Sequence, residues 1–196
     1  AYRRIHRILM AHDWIRYRLT GEFAAEITNI SGSNLFNVDT GAYEPELLRL
    51  FGIEEMQDCT APVVGSAESL AGGSARAAEE TGLAAGTPVY GGFFAVVSAA
   101  VCAGLADQRF INVVMGTWTI ATWIADSIPA AEYPYTWGRY CIPGKYFVHE
   151  GSPTSASNLE CCVRNFPPAA EPPYRRCDEM VAALPKGATG VQFLPY

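Results

Sequence analysis

Two glycine-bearing turns hold most of the chemistry this sequence could perform. The first, Gly91-Gly92, ends a short β-type run, Pro88 to Tyr90, and leads into an apolar segment from Phe93 to Leu105. That segment is small on one side through Ala95, Ser98, Ala99 and Ala103. A strand that ends in a glycine turn and opens a helix is where α/β proteins place ligands. The second turn, Gly116-Thr117, follows the strand-like run Phe110 to Met115. Its amides and hydroxyl suit a phosphate, and the same residues suit a plain hairpin between strands over 110–115 and 118–124. A third, small-residue turn from Gly151 to Ser157 precedes a helix expected from about Asn158 and can receive an anion or a nucleotide edge. His6, His12 and His149 have no second histidine or carboxylate at ligand spacing, so no metal site is expected. Neither a Walker A run nor G-x-G-x-x-G occurs, and a nucleotide, if bound, needs another scaffold.

The elements that would position these turns are mixed helix and strand. Tyr2 to Leu19 reads as one helix with Ile5, Ile8, Leu9, Ile15 and Leu19 toward the core and Gly21 as its stop. The basic cluster Arg3, Arg4, His6, Arg7, Arg16 and Arg18 is then its wet face. Glu26 to Ser33 is polar and turn-rich; Thr28, Asn29 and Ser31 either line a cleft for a polyhydroxyl ligand or cap the neighbouring elements. A strand over 34–38, a turn over 39–41 and a helix from Pro45 to Phe51 follow. Next come a loop from Pro62 to Gly73 and a helix from Ser74 to Thr81 ended by Gly82. The composition shift at Ala84 to Gly86 marks a domain boundary, giving parts 1–86 and 87–196. Strands near 88–91, 110–115, 118–124 and 145–149 are expected to share one sheet. Tyr133 to Tyr140 reads as an aromatic loop, Pro167 to Pro173 as a break, Cys177 to Leu184 as a helix and Val191 to Tyr196 as a strand.

Composition narrows the function. The 196 residues are 49% hydrophobic, enough for a real core, and the net charge of −6 leaves no basic stripe for nucleic acid. The longest apolar run is too short to span a bilayer and no signal-peptide pattern opens the sequence, so a soluble cytoplasmic protein with no membrane partner is expected. Cys59, Cys102, Cys141, Cys161, Cys162 and Cys177 lack C-x-x-C spacing and read as free thiols of a reducing compartment.

The runs DWIRYRLTGE (13–22), TNISGSNLFN (28–37), PVVGSAE (62–68), GTPVYGGFFAVVSAAVCAG (86–104), VMGTW (114–118), HEGSPTSASNLE (149–160) and FLPY (193–196) resemble the middle portion of an FGGY-family carbohydrate kinase, closest to those acting on L-xylulose. The resemblance implies an α/β, ribonuclease H-like and actin-like sugar kinase fold, incomplete here. The chain would supply the end of an N-terminal sugar-binding domain (1–86) and the first part of a C-terminal nucleotide-binding domain (87–196). It implies transfer of the γ-phosphoryl of ATP, with Mg²⁺, to a sugar hydroxyl, and it leaves room for a homodimer of the complete enzyme. The family's N-terminal Asp-x-Gly phosphate hairpin and C-terminal glycine-rich adenosine loop are not in this stretch. By the same resemblance Gly116 and Thr117 would meet the ATP phosphates, Ser157 and Glu160 the nucleotide, and Ile27 and Val96 the sugar. Ser157 stands where the family usually has glycine, a change that would crowd the nucleotide.

The larger departure is at Ala95. The family pattern G-G-x-F-D-V-V-S places a carboxylate there as the base for the attacking hydroxyl, and this sequence reads G-G-F-F-A-V-V-S. A methyl group accepts no proton. A natural pseudokinase, an engineered inactive variant and an error in the sequence all account for it. Three functions follow: a ketopentose kinase with a disabled base, a noncatalytic sugar- or nucleotide-binding remnant acting as an interaction module, or another actin-type ATPase. The third has no use for TNISGSNLFN.

Overall fold

Polar side chains, rather than an apolar stripe, decide how the first helix sits. In the computed structural model of the protein, which describes residues 2–128, 130, 135–166, 172–187 and 190, the helix expected over Tyr2 to Leu19 is broken. A 3₁₀ turn spans Tyr2–Arg4, and α1 spans Ala11–Thr20. Between them Ile8 bridges to Thr60, its amide donating to the Cys59 carbonyl at 2.8 Å, and this extended pairing delays the helix. Asp13 accepts the Met10 N–H at 3.3 Å to start α1, and Gly21, at φ 84°, ends it. With the break, the expected apolar face divides: Ile5, Ile8 and Ile15 are exposed, Ile15 to 55%, while Leu9 and Leu19 stay half-buried, Leu9 against the core. The buried side chains of α1 are instead Asp13, 0% exposed, and Arg16, 6% exposed, so Arg16 leaves the expected wet face. A guanidinium is tolerated there because it is paired and hydrogen-bonded.

The chain forms two compact units, Ala1–Asn112 with Thr122–His149, and Val113–Ala121 with Glu150–Tyr196. The first unit continues with β1 (Ala25–Glu26), α2 (Ile27–Ile30), a 3₁₀ turn at Ser31–Ser33, β2 (Phe36–Asn37), β3 (Ala42–Tyr43) and α3 (Pro45–Leu50). A 3₁₀ turn at Glu54–Cys59 leads to β4 (Val63–Val64), β5 (Ser69–Gly72), α4 (Ala75–Thr81), β6 (Pro88–Tyr90) and α5 (Ala95–Cys102). β1 pairs parallel with β4, and β2 pairs antiparallel with β3. The stretch read as a loop from Pro62 to Gly73 thus contains two strands. β6 does not join the later strands as expected; it pairs antiparallel with β5 in a separate two-stranded sheet. The glycines explain the pairing, since a Cβ on Gly72 would lie 2.7 Å from Gly86 Cα.

α4 follows its sequence signals, with Ser74 Oγ accepting the Ala77 N–H at 3.1 Å and Gly82 left-handed at its end. α5 is shorter than the expected 93–105 because Phe94 is extended (φ −56°, ψ 143°) and Gly104 is left-handed. Its inner side packs Val97 and Ala100 with Leu105, Ile124, Tyr140 and Phe147. A second cluster joins Ala25, Ile30, Phe36 and Ala61.

β7 (Asn112–Met115), β8 (Thr119–Ala125), β9 (Thr136–Arg139) and β10 (Tyr146–Ser152) form one sheet in the order β7-β8-β10-β9, the residues of β7, β8 and β10 being divided between the units. The expected sharing of one sheet by the strands near 110–115, 118–124 and 145–149 holds. The aromatic loop expected over 133–140 is a strand from Thr136, antiparallel to β10, while Tyr133 and Pro134 lie outside the described residues. Gly138 permits this, because a Cβ there would come within 2.7 Å of the Phe147 ring. In the second unit α6 (Ala156–Asn165) begins before Asn158, and α7 (Pro173–Ala182) starts with Pro173 at its first position, earlier than the expected Cys177. Residues 167–171 of the expected break and the strand expected over Val191 to Tyr196 lie outside the described residues. All six cysteines are free. Among the described residues no helix is long and apolar enough to cross a membrane.

His149 stacks on Phe147, ring centroids 5.4 Å apart, and burial holds its imidazole below the ordinary 6.5. The unfolded chain takes up that proton near its ordinary value while the folded chain resists it. Stability present above about pH 6.5 is therefore lost as pH falls through the depressed folded value. Thermal melts should show Tm decreasing from about pH 7 to about pH 5.5, and His149→Gln should flatten that slope. An unchanged slope in the variant would assign the decrease to other groups.

Candidate functional site

The turn Gly91 to Phe94 is held from several segments of the first unit. The Gly91 amide donates to the Glu68 carbonyl at 3.0 Å, and the Gly92 amide to the Ser66 carbonyl at 2.9 Å. The Gly91 carbonyl accepts from the Arg16 guanidinium, and the Phe94 amide donates to Thr28 Oγ1 at 2.8 Å. A Cβ on Gly91 would lie inside contact distance of the Gly65 carbonyl and 3.0 Å from Ser66 Cα, so glycine is required by close approach. Ala95 follows as the exposed first residue of α5, and Val96, half-buried, comes next.

Beneath this turn lie two carboxylates that the sequence reading passed over. Glu26, 0% exposed, accepts from the Thr28 and Asn29 amides at 3.0 and 3.1 Å, from Thr28 Oγ1 at 2.6 Å and from Ser66 Oγ at 2.5 Å. Asp13 pairs with Arg16, lies 3.0 Å from His12 Nε2, and accepts the Glu26 amide at 3.2 Å. The signal was present: Asp13-x-x-Arg16 has helix-pair spacing, and Glu26 sits inside the apolar run Phe23-Ala24-Ala25-Glu26-Ile27. Within Glu26 to Ser33 the side chain that caps a helix N-terminus is Glu26, at the start of α2. Ser31 Oγ donates to the Ile27 carbonyl at 2.7 Å. Thr28 is buried, and Asn29 Nδ2 meets His12 Nδ1 at 2.7 Å. Ile27 packs partly against the second core cluster.

In the second unit the turn between β7 and β8 receives the start of α6. The Ser155 and Ala156 amides donate to the carbonyls of Thr117 and Gly116 at 2.9 and 3.0 Å, and Ser157 Oγ lies 3.4 Å from the Thr117 carbonyl. Gly116, Thr117 and Ser157 are therefore brought together. The Gly116 amide is itself engaged, donating to the Trp118 carbonyl at 2.9 Å, as a hairpin requires. Thr117 is the exposed member of this group. Glu160 is one turn further along α6 and pairs with Arg164 at 2.6 Å. Among the described residues no group of three or more His, Cys, Asp or Glu could hold a metal ion.

The domain described as "FGGY family of carbohydrate kinases, N-terminal domain" matches residues 1–102, and the chain belongs to that family. It is 42% identical over its whole length to a probable L-xylulose kinase of Pasteurella multocida and 43% identical to the L-xylulose/3-keto-L-gulonate kinase of Escherichia coli. It spans 40% and 39% of those proteins. The fold matches ligand-bound xylulose kinase from Lactobacillus acidophilus with a TM-score of 0.85 at 18% identity, over 97% of this chain and 38% of that one. The architecture is thus a partial actin-like sugar kinase fold.

Proposed function

We propose that this chain is the central part of an ATP-dependent carbohydrate kinase whose substrate is a ketopentose such as L-xylulose. The observation that carries the proposal is the Gly91 to Phe94 turn, which presents position 95 to solvent at a helix start, the position at which the family resemblance implies a base for the sugar hydroxyl. Identities above 40% to proteins named for L-xylulose support the sugar class. In this reading Ile27 and Val96 flank the sugar. Thr117 contacts the ATP phosphates with Gly116 beside it, and Ser157 and Glu160 border the nucleotide. Mg²⁺ would arrive on the phosphates and neutralise their charge. In this reading the complete enzyme is cytoplasmic.

Ala95 favours a second reading, a noncatalytic sugar- or nucleotide-binding module, because its methyl accepts no proton. Titration calorimetry and amide NMR on the 196-residue chain test both. The chain spans about two-fifths of its relatives, so it should give no micromolar ATP binding, while L-xylulose should shift the amides of Ile27, Ala95 and Val96. Micromolar ATP binding would overturn the assignment of the nucleotide residues. Sugar-insensitive amides at 27, 95 and 96 would overturn the sugar side, and tight sugar binding by this chain alone would favour the binding module.

A further inference from the structure

We infer that Thr28 and Glu26 are positioning residues for position 95, acting through the Phe94 amide; the inference rests on position 95 being the sugar-facing residue of a kinase. Capping α2 needs only the two amides that Glu26 accepts. Its carboxylate also takes two hydroxyls, and both lead to the same turn. On one path Phe94 N–H donates to Thr28 Oγ1, whose own proton goes to Glu26 Oε2. On the other, Gly92 N–H donates to the Ser66 carbonyl while Ser66 Oγ donates to Glu26 Oε1. One buried carboxylate therefore ties down the residues on both sides of Phe93. Thr28 is 1% exposed and Glu26 0%, so water does not replace a lost link. The relay is directional, since residue 28 must accept from Phe94 and donate to Glu26 through a single atom. Serine can do this and valine cannot.

Hydrogen exchange on the ¹⁵N-labelled 196-residue chain reads the relay amide by amide. Thr28→Val should speed exchange of the Phe94 amide by about tenfold or more and move the Ala95 and Val96 amide shifts, with amides inside α5 such as Ala100 unchanged. Thr28→Ser should restore both. Glu26→Gln keeps one accepting oxygen and turns an NH₂ toward the other path, so it should speed exchange at Phe94 or at Gly92; it carries the test if Thr28→Val does not fold, and unaltered exchange at both would then overturn the inference. Unaltered Phe94 exchange in Thr28→Val, or a uniform acceleration that serine does not reverse, would overturn the inference. Adding L-xylulose to the same samples separates the two levels. Relay effects without sugar shifts in the parent chain refute the kinase reading and leave the relay, and sugar shifts with unaltered Phe94 exchange do the reverse.

Discussion

Ala95→Asp, made in a polypeptide of the relatives' full length that carries this chain, should raise kcat for L-xylulose by about 10² to 10⁴ and change KM much less. Phosphoryl transfer depends mostly on positioning and electrostatics, and a base that takes the hydroxyl proton adds a factor of that size, about 3 to 5 kcal/mol of barrier. The structure makes the substitution tolerable. Residue 95 is exposed, so a carboxylate would not be buried without a partner, and it opens α5, where the helix dipole favours negative charge. The Gly91 to Phe94 turn that aims it is complete in the alanine chain. A coupled ADP-release assay comparing alanine and aspartate at 95 decides the point. Equal turnover would mean that position 95 is not the base.

Arg16→Ala should destabilise the first unit by about 3 to 5 kcal/mol, the loss expected when one member of a buried ion pair is removed. Arg16 serves three acceptors: Asp13, the Gly91 carbonyl and the Ala24 carbonyl at 3.1 Å. Its removal takes the guanidinium from a fully buried carboxylate, leaving it His12 and two amides, and leaves two carbonyls short of a donor. A total stability of about 5 to 15 kcal/mol makes such a loss visible as a large drop in urea midpoint at constant slope. Arg16→Lys should recover only part of it, because one ammonium cannot reproduce the guanidinium fork. A cost below about 1 kcal/mol would show that Asp13 finds another partner.

Local signals were sufficient wherever an element is made by its own neighbours. Ser74 and Gly82 bound α4, Pro45 opens α3, and Gly91-Gly92 closes a strand before a helix, all readable because caps and glycine turns act within a few residues. The departure at Ala95 was equally plain, since it needed only the identity of one residue in a known pattern. Tertiary structure alone decided three other things. It broke the first helix, because pairing of Ile8 with Thr60 is a contact across about fifty residues that no local period reports. It paired β6 with β5 and made a strand of 136–139, where glycines at 72, 86 and 138 matter for what lies against them. It also buried Asp13, Arg16 and Glu26. A charged side chain reads as surface until its partners are known, and here the partners of Arg16 and Glu26 come from Ala24, Ser66 and Gly91, segments that only the folded chain brings together.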